Sequence, residues 1–466
     1  MKVQLSGGDD RNLMERLLEK QIPLANSCNG KGTCGKCKVK VVSGTITDVT
    51  DTERRLLTEK EVAGRMRLAC MTKAQGEVVI ETGEVEEDHV FTTGGVEGHF
   101  KRDADKHGYG LAVDIGTTTV VATLICLDDG TERATYAQIN PQKTYGLDVL
   151  TRITYETEYK EKAITQLQEA IVHGLNEATK GICAEAGIDV TQIGEIDIAA
   201  NCTMLHMLAG VDARPIGRAP YKPAFTDGQK LKARDLGLMG AADAMVYLLP
   251  SVSAYIGADI VAGVYVCDLR HSSGKTLFID IGTNGELVLE AGGKMYSCSC
   301  AAGPALEGMN ITSGMRAAKG AVEDVHIGPD GIRLDVIGKG KPHGLCGSGI
   351  LAVVRELVRT GLVTRRGAFA RPEDFEVDDY RRDILRYNGN KREVLLYSSG
   401  ETELLVTQSD VRQVQLAKGA IRSGIEVLLS HGGLTYEDID KVLIAGQFGA
   451  HLPAESLLQI GLLPPV

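Results

Sequence analysis

One pattern in this chain of 466 residues occurs twice, and it limits the folds open to it. "GLAVDIGTTTVVATLI" (110–125) and "TLFIDIGTNGELVLE" (276–290) each read as an apolar strand, Asp-Ile-Gly-Thr, a tight turn and a second apolar strand. Asp114 aligns with Asp280, Gly116 with Gly282 and Thr117 with Thr283. A single such hairpin is an ordinary turn. Two copies, each inside alternating strand and helix patterns, predict an α/β protein built from two similar halves.

The residue types suit phosphate chemistry. An Asp at the end of a buried strand can hold Mg²⁺ directly or through water. Glycine lets the backbone approach phosphate oxygens, while backbone N–H and Thr hydroxyl groups donate to them. Two such loops facing one another would clamp a triphosphate, and the alternative is a purely structural repeat.

A third stretch, "VLIAGQFG" (442–449), is an apolar strand followed by Gly-x-x-Gly. With the two hairpins it resembles the actin/sugar-kinase/Hsp70 ATPase superfamily, a two-lobed fold with duplicated RNase H-like halves. The resemblance implies that Asp114 and Asp280 position Mg²⁺ and the attacking water. It places phosphates on Gly116, Thr117, Thr118, Thr119, Gly282, Thr283 and Asn284, and adenosine on Gly446, Gln447 and Gly449. Glu286, two residues past Asn284, is either a water-polarising group or a solvated strand residue.

The N-terminal region carries different chemistry. "CNGKGTCGKC" (28–37) spells Gly-x4-Gly-Lys from Gly30, but Cys37 stands where a P-loop needs the Mg²⁺-binding Ser or Thr. Strand-like alternation follows it where a P-loop would open a helix. "SSGKT" (272–276) fails too, with Leu269 in place of the first glycine. Counted by sulfur, Cys28, Cys34 and Cys37 share a Gly-rich loop and Cys70 lies far beyond, the layout of a [2Fe-2S] site. Gly30, Gly32 and Gly35 permit the positive φ a loop wrapped round a cluster needs. Structural zinc, which favours two Cys-x2-Cys knuckles, and unliganded thiols are the alternatives. Residues 1–84 resemble the [2Fe-2S] ferredoxins, which implies a β-grasp domain. Residues 85–108 read as a linker and 109–466 as the ATPase-like domain.

Further stretches narrow the resemblance: "NPQKTYGLDVLTRI" (140–153), "NCTMLHMLAG" (201–210), "CSCAAGPALEGMNITSGM" (298–315), "LCGSGIL" (345–351) and "SDVRQVQLAKGAIRSGI" (409–425). Together they are similar to the reductive activators of corrinoid proteins. That family implies an ATP-dependent activase with a [2Fe-2S] cluster, ATP and Mg²⁺. Its acceptor would be a Co(II) corrinoid protein, supplied from a low-potential donor, and a homodimer is also implied. Larger relatives insert a further domain between the positions of Cys70 and Asp114, and relatives continue past the position of "GLLPPV" with another strand and helix. A lobe lacking them is expected to be incomplete.

In "YSCSCAAGP" (296–304), Ser299 either approaches the acceptor or is a small residue chosen for packing. A helix is expected over roughly 410–430, capped by Ser409 or Asp410 and ended by Gly432-Gly433. Gly419 and Gly424 inside it signal close packing. His206 and His431 are given structural roles.

Composition sets the remaining limits. Lys+Arg total 51 against Asp+Glu 62, which argues against nucleic acid as the main partner. The start has no apolar signal core and no apolar run reaches membrane length, so a cytoplasmic protein with no membrane role is expected. The eleven cysteines are scattered, as befits reduced thiols with a subset serving a metal.

Overall fold

The computed structural model describes residues 1–20, 22, 24, 30, 32, 35–83, 103–389, 391–400, 402–446, 449 and 452–465. The chain divides into two compact units, Met1–Asp88 with Ile139–Ile171, and His89–Gln138 with Val172–Val466.

In the N-terminal segment, alternation of apolar and polar residues makes strands and capping boxes start the helices. The order is β1 (Lys2–Leu5), α1 (Leu13–Glu19), β2 (Lys38–Ser43), α2 (Asp51–Leu56), α3 (Glu59–Ala63), β3 (Met66–Leu68) and β4 (Val78–Thr82). Asn12 with Glu15, Thr50 with Glu53 and Thr58 with Glu61 each satisfy exposed helix N–H groups reciprocally. The strands form one antiparallel sheet in the order β1-β4-β2-β3. Val39, Val41, Leu68, Val78 and Ile80 pack its inner face together with Leu13 and Leu17 of α1. Beneath β3, the Glu53 carboxylate accepts from Arg67 Nε and Nη2 (both 2.9 Å), Leu68 N (3.0 Å) and Thr72 Oγ1 (3.1 Å). So paired, a fully buried charge is tolerated.

The second part of the chain begins with the hairpin β5 (Tyr109–Ile115) and β6 (Thr119–Cys126), then β7 (Thr131–Ile139), α4 (Val149–Tyr159) and α5 (Glu161–Ala186). There follow β8 (Ile193–Ala200), α6 (Cys202–Ala209), β9 (Gln229–Lys232), α7 (Ala233–Leu236), β10 (Met245–Leu248) and α8 (Ala258–Val266). The six strands order as β7-β6-β5-β8-β10-β9, with β5 antiparallel to β6 and parallel to β8.

The pattern then repeats. β11 (Thr276–Ile281), β12 (Gly285–Ala291) and β13 (Lys294–Cys300) form a meander, and the chain returns much later as β20 (Lys441–Ala445), parallel to β11, giving the order β13-β12-β11-β20. Between them lie β14 (Ala321–Gly328), β15 (Gly331–Val336), β16 (Gly344–Leu345), α9 (Gly347–Arg359), α10 (Arg381–Ile384), β17 (Leu385–Asn388), β18 (Lys391–Ser399), β19 (Thr402–Thr407) and α11 (Gln408–Gly432). α12 (Ala454–Gln459) follows β20. One apolar core joins β11 and β12 to α9 and α11 through Leu277, Leu287, Leu351, Ile421 and Ile425.

α11 starts earlier than its sequence suggested. Its cap is Thr407, whose hydroxyl accepts from Asp410 N while the Asp410 carboxylate accepts from Thr407 N at 2.8 Å. Asp410 is therefore the inner partner of the capping box rather than the cap. Gly433, left-handed at φ +65°, ends the helix as expected. Among the described residues no helix is long and apolar enough to cross a membrane.

Candidate functional site

Each hairpin delivers its Asp at the last turn-facing positions of a central strand. In the first, Asp114 pairs with Val121 and Ile115 with Val120, which leaves Gly116, Thr117, Thr118 and Thr119 to make the connection. A Cβ on Gly116 would lie 2.8 Å from Thr119 O, so only glycine fits. Thr117 Oγ1 accepts a hydrogen bond of 3.1 Å from Asn201 Nδ2, and Asn201 itself caps α6. In the second, Asp280 pairs with Glu286 across the hairpin and Gly282 N donates to Asn284 O at 2.9 Å. Among the described residues a Cβ on Gly282 would meet only Asn284 O at 3.7 Å, so they leave the space over that backbone open, as a phosphate cradle requires. Thr283 Oγ1 is hydrogen-bonded to Glu307 Oε1, and Asn284 is exposed.

The carboxyls of the two hairpins share one electrostatic environment. Burial and repulsion from Asp259 raise Asp114 to about 7, although solvent still reaches its side chain. Burial raises Asp280 to about 7 as well, with repulsion from Asp259 and Asp114. Glu286 goes up to about 8 through burial and repulsion from Asp280 and Asp259, against the lowering effect of a 3.0 Å hydrogen bond from Ser299 Oγ. Asp259 is itself pushed up by burial. Carboxyls that repel one another this way favour either protons or a cation.

Asp259 is the member that sequence reasoning missed. It lies in the first turn of α8, where an acid reads as an ordinary N-terminal residue. Only the tertiary structure brings it to both hairpins. Gly257 makes this possible: a Cβ there would lie 2.5 Å from Asn201 Cα and 2.6 Å from Asp259 Oδ1.

The third element reaches the same place. Parallel pairing sets Ala445 opposite Asp280, so Gly446 (φ +93°) follows directly alongside the carboxyl. A Cβ on Gly446 would lie 2.6 Å from Asp280 Oδ1 and 2.6 Å from Ile281 O. Gly449 packs on Ile281, and Gln447 lies outside the described residues. Ser299 sits opposite Glu286 on β13 with its hydroxyl bound to that carboxylate. His206 is a buried structural residue: Nδ1 donates to Cys202 O at 2.8 Å and Nε2 accepts from Ala224 N at 3.0 Å.

A second site lies in the N-terminal segment. Cys37 and Cys70 are buried, no disulfide joins them, and their Sγ atoms are 3.3 Å apart. Two thiolates on one tetrahedral metal with bonds of about 2.3 Å would stand roughly 3.8 Å apart, so the pair fits ligation of one iron with slight opening. Gly30, Gly32 and Gly35 all have positive φ (+79°, +68° and +65°), as the loop's curvature required. Cys28 and Cys34 lie outside the described residues. Among the described residues no group of three or more His, Cys, Asp or Glu side chains is placed to hold a metal directly.

Comparison with known proteins decides the family. Residues 2–75 match the 2Fe-2S iron-sulfur cluster binding domain, 109–272 the RACo middle region and 274–466 the C-terminal, ASKHA domain of RACo. The chain belongs to the RACo family. Among relatives with names, the corrinoid activation enzyme RamQ of Eubacterium limosum is 34% identical over 368 residues, 78% of this chain and 62% of the relative. The [Co(II) methylated amine-specific corrinoid protein] reductase of Methanosarcina barkeri is 24% identical over 389 residues, 76% of this chain and 66% of the relative. This RACo-family chain thus spans a little under two thirds of the length of these relatives. A solved structure titled reductive activator for corrinoid, iron-sulfur protein is 29% identical, with a TM-score of 0.66 over 99% of this chain and 87% of that one. The α/β fold, with an iron-sulfur domain followed by an ASKHA domain, follows from these matches.

Proposed function

We propose that this chain is an ATP-dependent reductive activase. It would pass a low-potential electron to an inactivated Co(II) corrinoid protein and restore Co(I) for methyl transfer. The observation that carries the reading is the presence, in one RACo-family chain, of a buried thiol pair at 3.3 Å and a group of mutually repelling carboxyls set on duplicated phosphate hairpins. Its relatives, a corrinoid activation enzyme and a Co(II) corrinoid protein reductase, suggest the acceptor class.

Cys28, Cys34, Cys37 and Cys70 would hold the cluster, which when bound supplies single electrons near roughly −400 mV. Asp114 and Asp280 would hold Mg²⁺, directly or through water. Thr117, Thr118, Thr119, Thr283 and Asn284 donate to phosphates, and the bare backbone of Gly116 and Gly282 lets them approach. Gly446, Gln447 and Gly449 form the wall on the adenosine side. Glu286, held by Ser299, orients a water for attack once it has lost its proton. Ser299 serves Glu286 in this reading, through the hydrogen bond its hydroxyl donates to that carboxylate.

Pushing one electron about 100 mV uphill costs about 2.3 kcal/mol. Nucleotide can meet that cost only by favouring one conformational state over another. The division into 1–84, 85–108 and 109–466, a cytoplasmic site of action, a separate low-potential donor and a homodimer belong to the same proposal. Anaerobic assay of Mg-ATP turnover, with and without a Co(II) corrinoid protein, tests it. Acceptor-stimulated hydrolysis is expected, whereas nucleotide binding with no turnover under either condition would reduce the chain to a redox-sensing scaffold.

A further inference from the structure

Behind the second phosphate hairpin lies a carboxyl that the nucleotide reading leaves unused. Glu307 ends a short 3-10 helix, Pro304–Glu307, and is 2% exposed. Its Oε1 is hydrogen-bonded to Thr283 Oγ1, and its Oε2 is buried with no hydrogen-bond partner among the described residues. An anion left this way keeps a large desolvation penalty, whereas a neutral acid carries far less. Burial pushes the group upward, against the lowering effects of the Thr283 hydrogen bond and of Arg316, the charged side chain acting on it.

The pair is locked in place. Gly303 N donates to Thr283 O at 2.9 Å, tying the two loops by backbone as well as by side chain. On the far side, Gly347 of α9 packs so closely that a Cβ would lie 2.0 Å from Leu306 O. Gly308, at φ +78°, is similarly confined, 2.1 Å from Met315 O by the same measure. These close approaches fix the backbone on both sides of Glu307.

A hydroxyl has one proton to give. An ionised Glu307 would take it, leaving Thr283 to present only lone pairs to a phosphate, which is itself an acceptor. A neutral Glu307 reverses the direction of the bond. We propose that Glu307 is a positioning residue for the second hairpin, a neutral acid that donates to Thr283 Oγ1 and so turns the threonine's own proton toward the phosphate of a bound nucleotide. The proposal rests on the nucleotide reading of the hairpins.

The test uses the full chain with Mg-ATP as the probe, comparing equilibrium binding of wild type, Glu307→Gln and Glu307→Leu from about pH 6 to about pH 9, with infrared spectra of the nucleotide-free proteins. Wild type should show a protonated-carboxyl band that Glu307→Gln lacks. Glu307→Leu should bind about ten-fold more weakly than wild type, the cost of losing the one hydrogen bond that orients the Thr283 hydroxyl. Glu307→Gln, whose amide can donate to Oγ1, should recover most of that loss. The ratio of wild-type to Glu307→Gln affinity should fall as pH rises and Glu307 ionises. Absence of the band difference, or a Glu307→Gln protein as weak as Glu307→Leu, overturns the role of Glu307 while leaving the nucleotide reading intact. Failure of wild type to bind Mg-ATP at any pH overturns the nucleotide reading and this role with it.

Discussion

Four carboxyls, Asp114, Asp259, Asp280 and Glu286, are held against their ordinary ionisation, and the strain has measurable consequences. Asp280 rises to about 7 from an ordinary carboxylate value. The unfolded chain therefore releases this proton at lower pH than the folded chain does. The group favours unfolding increasingly as pH climbs from about 4 to about 7, and by a constant amount above that. Asp280→Asn should accordingly raise the Tm of the nucleotide-free protein more at about pH 8 than at about pH 5. An equal change at both pH values would contradict the repulsion described. Glu286 rises to about 8, so at neutral pH it is largely protonated before nucleotide arrives. If it acts as base, turnover should climb with pH toward that value. Glu286→Gln should abolish this limb and lower kcat by about 10²–10⁴, with a much smaller effect on nucleotide affinity. Equal losses in both would make it a binding residue only.

Among the elements, α11 offers a controlled comparison. Both of its interior glycines weaken helix propensity by about 1 kcal/mol relative to Ala, but only one has a packing reason. A Cβ on Gly424 would fall 2.3 Å from Cys300 Sγ and 2.5 Å from Leu287 Cδ1, whereas among the described residues nothing lies within 4 Å of one on Gly419. Gly419→Ala should stabilise the protein by roughly 0.5–1 kcal/mol and Gly424→Ala should destabilise it by about 1–3 kcal/mol, as denaturant midpoints would report. Stabilisation by both would mean that α11 and β13 can separate freely. The sequence announced α11, both hairpins and β20 because each carries its own local pattern of period or turn. It did not announce the sheets β14–β16 and β17–β19, whose strands are bounded by no motif. Nor did it show Thr407 as the cap, because Ser409 and Asp410 beside it are equally good capping types. Gly446 was legible as a glycine of the third element. Its position against Asp280 was not, since that contact comes from the parallel pairing of strands far apart in sequence. Asp259 and Glu307 were missed for the same physical reason: nothing local separates an acid facing a site from one facing water.

For the whole molecule, the proposal joins an iron-sulfur domain to an ASKHA domain in one chain, with the sulfur ligands proposed from their spacing and, for Cys37 and Cys70, from the nearness of their sulfurs. Neither module alone explains why the other is present. Their joint purpose is the central claim, and it is tested most directly under anaerobic conditions. The cluster-loaded chain is reduced, a Co(II) corrinoid methyl-transfer protein is added, and cobalt absorbance is followed with and without Mg-ATP. The account predicts Co(I) only when Mg-ATP is present, and its loss when Cys70 is replaced by Ser or Asp280 by Asn. Co(I) forming at the same rate without nucleotide, or unaffected by the Asp280 substitution, would contradict it.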